Sequence, residues 1–413
     1  MLASPPCLAV ITGIGCISPF GVGGHTFVAE VLRANRTAIG PIVGFATDSL
    51  PCRLGAEVPN AYLPEGEEAR RWGRLSQMTV VACRQALEDA ELHGEEVRRH
   101  IGLVVGSELG DLRSTEAFAL GFLRKGPLGL SPLLFPNTVM NAMAGTTSIV
   151  LGLKGPMLTL NQQGVAGEVA VARAIALLRA GRAPAVLACG ADELFPRLYE
   201  TLARLHLLSP QHGGQEACRP FDQRHNGPVL GEGATALVLE SPAYARARGA
   251  PILAEVYSAC WGGLPARPNR YPALRHLHGR MLHRALSNAA ASHGEVGVAY
   301  LSGSGDPHHD TAELTLLAAT FGVDGPLLTA VTHLTGEYGG LGVLRVAAAV
   351  TTLTTGLLPT LDYLCQPLRT DVRLARQGMP LAAPLAIVHG LARGGLQVVL
   401  LLGRRGNNEK GPG

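Results

Sequence analysis

The sequence predicts an α/β fold built from two fused half-repeats, and three observations predict it. Short, continuously apolar runs alternate with longer segments of helical period, the pattern of strands that helices cover on both faces. The order of strand, long insertion, tight corner, helix, strand and hairpin occurs once before about residue 248, and a shorter version follows it. A chain of 413 residues, 47% hydrophobic and with 52 glycines, exceeds one ordinary domain and can bury a large core. The expected halves are 1–248, which carries the long insertion, and 249–413.

Taken in order, the apolar run at 8–12 predicts the first strand, and helical spacing follows at 76–90. Strands are expected at 102–106 and 157–160. The second of these runs through a tight turn into a helix at 167–180, where Val171, Ala174, Ile175 and Leu178 share one face at i, i+3, i+4 and i+7. Apolar runs at 184–189 and 234–239 complete the first half. The second half reads as strands at 253–258, 298–301, 385–388 and 397–401, with helices at 272–291, 311–319 and 340–355.

The net charge is +3 and there is no run of lysine or arginine, which argues against nucleic acid as a partner. Arg267, Arg270, Arg275 and Arg280 form a local basic patch, either a solvated surface or a seat for an acidic protein. Eight scattered cysteines without a C-x-x-C pair fit free thiols in a reducing compartment rather than disulfides or zinc. The N-terminus has no signal-peptide pattern, and apolar stretches such as 396–402 have strand length, far short of a membrane span. A cytoplasmic protein without a membrane partner is expected.

The corner after the third strand is the most informative position. A serine or cysteine at such a strand-to-helix turn would be exposed, with the helix N-terminus beside it. This corner holds Gln163 and Gly164, neither of which can attack a thioester.

Several segments resemble the β-ketoacyl synthases of the thiolase superfamily. Val10-Ile11-Thr12-Gly13-Ile14-Gly15 and Ser18-Pro19 match the opening strand and loop. Leu130-Ser131-Pro132 through Pro136-Asn137, then Asn141 and Ala144-Gly145, match the segment ahead of the active-site strand. Arg219-Pro220-Phe221-Asp222, Gly227 and Leu230-Gly231-Glu232-Gly233-Ala234 form the most specific match, and Gly394-Gly395 fits the glycine-rich end. The resemblance spans essentially the whole chain and implies the thiolase fold, two pseudo-repeat halves in αβαβα layers.

Active members of that family use a cysteine thiolate, two histidines and a lysine for acyl transfer and decarboxylative condensation. Ungapped counting from Gly155-Pro156, and back from Gly181 and Cys189-Gly190, places Gly164 at the cysteine position. Ser302 stands for the first histidine, followed by Asp310 and Glu313, the latter in the place of the acid that pairs with the lysine. Thr332 replaces the lysine and Glu337 the second histidine, with His333 the alternative if the loop has slipped. Glu313 therefore needs another partner, or water. The aromatic gate reads Leu391-Ala392-Arg393-Gly394-Gly395, with Arg393 where an aromatic should be. His308-His309 is expected in an exposed loop, with a metal site as the minor reading. Asp222 and Glu232 are expected to hold turns through backbone N–H groups.

An intact scaffold without its chemistry resembles the chain-length factor, the silent subunit of type II polyketide ketosynthases. That resemblance implies a heterodimer with a catalytic ketosynthase α subunit, an acyl carrier protein, a growing acyl chain in a shared tunnel, and no cofactor. Tunnel and interface candidates are Leu109, Leu112, Glu116, Phe118, Leu120, Phe122 and Leu134, where Leu134 matches an aromatic position that reaches across the dimer. Two other readings stay open. One is a malonyl-carrier-protein decarboxylase using Gln163; the other is a homodimeric acyl-binding protein.

Overall fold

In the computed structural model, which describes residues 7–379, 381 and 384–404, one 12-stranded sheet carries the molecule. Its main strands are β1 (Ala9–Ser18), β2 (Ile101–Ser107), β3 (Met157–Asn161), β4 (Ala185–Asp192), β5 (Gly233–Glu240), β6 (Ala254–Gly263), β7 (Val296–Tyr300), β8 (Leu327–Thr329), β9 (Leu385–Leu391) and β10 (Leu396–Gly403). The main helices are α1 (His25–Ala34), α2 (Arg74–Asp89), α3 (Leu112–Lys125), α4 (Ala142–Leu151), α5 (Ala166–Arg179), α6 (Pro196–Arg204), α7 (Arg280–Asn288), α8 (Pro307–Phe321), α9 (Thr332–Thr335) and α10 (Gly342–Thr355).

The strand order is β8-β7-β9-β10-β6-β1-β5-β4-β2-β3. Read outward from the centre, the first half runs β1-β5-β4-β2-β3 and the second β6-β10-β9-β7-β8. Directions repeat as well: the two inner pairings of each half are antiparallel and the two outer ones parallel. The halves join where Ala9, Val10 and Ile11 of β1 pair with Val256, Glu255 and Ala254 of β6.

Period-two alternation sorts the strands' side chains into layers. In β4, Val186 and Ala188 enter a central core with α5 and α10, while Ala185, Leu187 and Cys189 enter an outer core with α2 and α4. In β10, Val398, Leu400 and Leu402 face the centre, and Val399 and Leu401 face α7 and α8. This is the expected αβαβα arrangement. Burial on both faces is why these strands read as unbroken apolar runs. Val171, Ala174, Ile175 and Leu178 of α5 all lie in the central core.

The central helices meet through glycine. A Cβ on Gly167 would lie 2.6 Å from the Gly340 carbonyl oxygen and 2.7 Å from the Val343 nitrogen, and one on Gly190 would lie 2.1 Å from the same carbonyl. Directly after Gly167, the buried Glu168 carboxylate accepts from Nε of Arg345 at 3.1 Å and from its Nη2, joining the first turns of α5 and α10.

Two expectations need correction. The helix expected over 272–291 is confined to Arg280–Asn288, preceded by a short 3-10 turn at Leu274–His276. Prolines at 268 and 272 and the close approach of Gly279 to Thr320 hold the upstream segment as an irregular rim. His308 and His309 do not lie in a solvent loop. Asp306 caps α8, its side chain accepting from the N–H groups of both residues, and this turn buries His309 while leaving His308 exposed. The eight cysteines are free thiols. Among the described residues no helix is long and apolar enough to cross a membrane.

Arg345→Met alone should lower stability by about 3–5 kcal/mol, because Glu168 is left as an uncompensated buried charge. Adding Glu168→Gln should recover most of that loss. Urea unfolding of the two variants checks both outcomes.

Candidate functional site

The site is built at the turn between β3 and α5. Gly164 sits there with φ +70°, a left-handed conformation that favours glycine. A Cβ added to it would have its nearest neighbour, Ala392 Cα, at 3.8 Å, so the corner has room for a side chain at the cost of backbone strain. Its N–H, at the mouth of the α5 N-terminus, donates to Oε2 of Glu108 at 3.3 Å. A carboxylate from the end of β2 thus occupies a direction in which a reacting oxyanion would be held.

Gln163, Gly164, Glu108, Glu337, Tyr271 and Arg393 line one cleft. The Gln163 amide donates to Oδ1 of Asn269 at 3.3 Å. Burial pushes the Glu337 carboxyl up to about 7, and the negative charges of Glu108 and Asp306 add to this against Arg393 and Arg345. Burial also raises Glu108, opposed by the Gly164 N–H, Arg393 and Gln163. Arg393 lies 5.6 Å over the Tyr271 ring, with Nη2 3.5 Å from Oδ2 of Asp306. It separates this inner cleft from an outer vestibule lined by His206, Gln211, Asn269, Arg270 and His308. Arg267, Arg270 and Arg275 are exposed beside that vestibule, and Arg280 is exposed at the start of α7.

Ser302 lies behind the cleft in a closed network. Its hydroxyl donates to Oε1 of Glu313 at 2.8 Å, accepts from the Leu391 N–H at 3.0 Å, and sits 3.1 Å from Nε2 of His309. Glu313 has found a new partner in His389, whose Nδ1 lies 2.6 Å from the same oxygen. Burial alone would raise Glu313, but the His389 contact brings it below its ordinary value. His309 is held by Ser302 and Ser304 and stacks on Tyr271 at 4.4 Å with the rings 5° apart, so this network props the tyrosine under Arg393.

Thr332 is buried and its hydroxyl makes no hydrogen bond among the described residues. His333 lines a different cavity, so Glu337 and not His333 reaches the cleft. Asp222 accepts from the Arg224 side chain and from the N–H groups of Arg224, Cys365 and Gln366; against the effect of burial these hold it well below the usual carboxylate range. Glu232 accepts from Arg74 and from the N–H groups of Val58 and Leu194. Neither lines the cleft.

The insertion presents a surface rather than a core. On α3 only Ser114 is buried: Leu112, Glu116, Phe118 and Leu120 are half-buried and Phe122 is exposed. Leu109 precedes this helix, and Leu134 lies half-buried beyond it; Phe118 packs on Phe135 with ring centroids 5.8 Å apart. Leu133, Phe135, Met140 and Ile149 continue the apolar exposure. Beside them, among the described residues, β3 pairs with β2 alone and leaves its other edge free. A free, partly apolar edge next to an uncovered helix leaves apolar surface open to solvent.

Residues 9–245 match the family model for the β-ketoacyl synthase N-terminal domain. The chain belongs to the β-ketoacyl synthase family. The 3-oxoacyl-[acyl-carrier-protein] synthase 2 of Vibrio cholerae serotype O1 is 30% identical over 372 residues, covering 87% of this chain and 89% of that protein. Its counterpart in Synechocystis sp. is 35% identical over 254 residues, 60% of this chain and 61% of that one. Among solved structures, the ishigamide ketosynthase/chain length factor superposes with a TM-score of 0.86 at 25% identity, over 98% of this chain and 100% of that one.

Sequence reasoning missed Glu108, Tyr271, Asp306 and His389. A histidine inside the apolar run of β9 was the one visible signal, since a strand covered on both faces must give a polar residue a partner.

The raised carboxyl of Glu337 carries a pH signature. The folded state keeps a proton that an unfolded glutamate releases near pH 4.5, so this contribution to stability is complete below that pH and fades as pH rises through about 7. Glu337→Gln should therefore unfold less readily than the parent at pH 8, by roughly 1–3 kcal/mol, and lose that advantage near pH 4.5. Melting curves across pH 4.5–8 check the sign.

Proposed function

We propose that this chain is a non-catalytic ketosynthase-like subunit, a chain-length factor. In this reading it pairs with an active β-ketoacyl synthase, shapes the acyl tunnel and sets polyketide length during decarboxylative condensation of malonyl-carrier-protein units. The observation that carries the proposal is the corner itself: glycine at the nucleophile position, with its N–H held by the Glu108 carboxylate. Loss of a single essential group from a catalytic unit costs up to roughly 10⁶ in rate, and here Ser302, Thr332 and Glu337 replace the supporting groups as well.

Electrostatics supports the same reading. A malonyl carboxylate entering the cleft would meet Glu108, Glu337 and Asp306 with Arg393 as the near counter-charge, and Arg393 is already shared with Asp306 and Tyr271. Gln163 is turned to Asn269, which disfavours the decarboxylase reading. The free β3 edge and the uncovered α3 supply a surface for the catalytic partner, as expected for an obligate pair. The exposed arginines at the vestibule suit an acidic carrier protein.

Incubation of the purified chain with malonyl-carrier protein should give no acyl adduct by mass spectrometry and no CO₂ above background. Release of CO₂ above a Gln163→Ala control would overturn the proposal. In the complex with its catalytic partner, Leu134→Phe should shorten the main product, since a larger side chain takes up room for acyl carbons. An unchanged product length would remove Leu134 from the tunnel.

A further inference from the structure

On the other side of α9 from the cleft lies a second cavity, with which the cleft shares no lining residue. Its walls are mostly apolar, contributed by Ile39, Leu54, Ala217 and Tyr363. His333 lines it, 7% exposed, with the Thr360 backbone beside the ring, and neither ring nitrogen makes a hydrogen bond of regular geometry among the described residues. A buried imidazole left in this state costs free energy unless something in the cavity completes it. Burial pushes the ring down to about 4, so at neutral pH it is uncharged, with one donor and one acceptor to offer.

The remaining polar groups give the cavity a sign. Carboxylates of Glu216 and Asp362 line it, and apart from neutral His333 no lining residue is basic. Each carboxylate is fixed in place: Glu216 accepts from the N–H groups of Arg53 and Leu54, and Asp362 from Asn35 and Thr360. The Tyr363 hydroxyl is spent on the Pro220 carbonyl, while its ring lies 5.2 Å from His333 at 56° and presents an aromatic face. Among the described residues no group of histidine, cysteine, aspartate and glutamate is arranged to hold a metal ion.

We infer that this cavity binds a small organic cation, an ammonium group on an aromatic or aliphatic body. The His333 ring accepts a hydrogen bond from the ammonium group, the Tyr363 face and the two carboxylates stabilise its charge, and the apolar walls take the body. The inference rests on this cavity alone and is independent of the chain-length-factor reading. An occupant would also brace the segment from Thr332 to Glu337, whose far end forms part of the cleft wall.

The test is titration of the ¹⁵N-histidine-labelled full chain with benzylamine, with benzyl alcohol and benzoate as isosteric controls. Benzylamine should shift the His333 ring nitrogens saturably and bind at least tenfold tighter than benzyl alcohol, and benzoate should not bind. His333→Phe should weaken benzylamine at least tenfold. Asp362→Asn, at an exposed position that leaves the core intact, should weaken it several-fold. Absence of a saturable His333 shift, equal binding of all three probes, or undiminished binding in both variants would overturn the assignment and leave solvent as the occupant.

Discussion

The site depends on the contact between the first turns of α5 and α10. Gly167 in α5, Gly190 in β4, Gly340 just before α10 and Gly342 at its start let these backbones approach more closely than any side chain would allow. The Glu168–Arg345 pair then locks the approach, with both groups buried. A carboxylate in the first turn of α5 also suits the positive end of that helix. Asp192 extends the lock: its Oδ1 accepts from Ser107 and the Glu108 N–H, and its Oδ2 from the Gly340 N–H. One connected set of interactions therefore positions the Gly164 corner, the Glu108 carboxylate and the segment that follows Glu337.

On that frame the polar groups around the corner are tied to one another. Glu313, deprived of a lysine, is held by His389 and Ser302. His309 fills the space beside Ser302 and supports Tyr271, which in turn carries Arg393. Within this network the Thr332 hydroxyl, one oxygen of Glu313 and Nε2 of His389 are left without a hydrogen bond among the described residues. Buried polar groups cost most when left unpaired. Such closed networks suit the proposed role, in which shape matters and reactive groups need not be available to substrate.

Much of this was legible in the sequence because the governing signals were local. Strands covered on both faces announced themselves as unbroken apolar runs, and the α5 stripe gave the helix after the corner. The match to Arg219-Pro220-Phe221-Asp222 and its neighbours gave the family. What remained hidden depends on contacts across the fold. Glu108 is one acid in a glycine-rich loop until β2 brings it to Gly164, 56 residues away. His309 looked exposed because charged and polar neighbours surround it in sequence, yet the Asp306 cap turns it inward. The α3 helix lacked an inward stripe because its apolar residues face out of the molecule.

That outward face brings the account to its central claim, a subunit completed by a catalytic partner. The most direct measurement is co-expression of this chain with a cysteine-bearing ketosynthase from the same organism, followed by native mass spectrometry of the purified material. The account predicts a one-to-one complex. Recovery of this chain only as a homodimer, with the synthase separating from it, would contradict it.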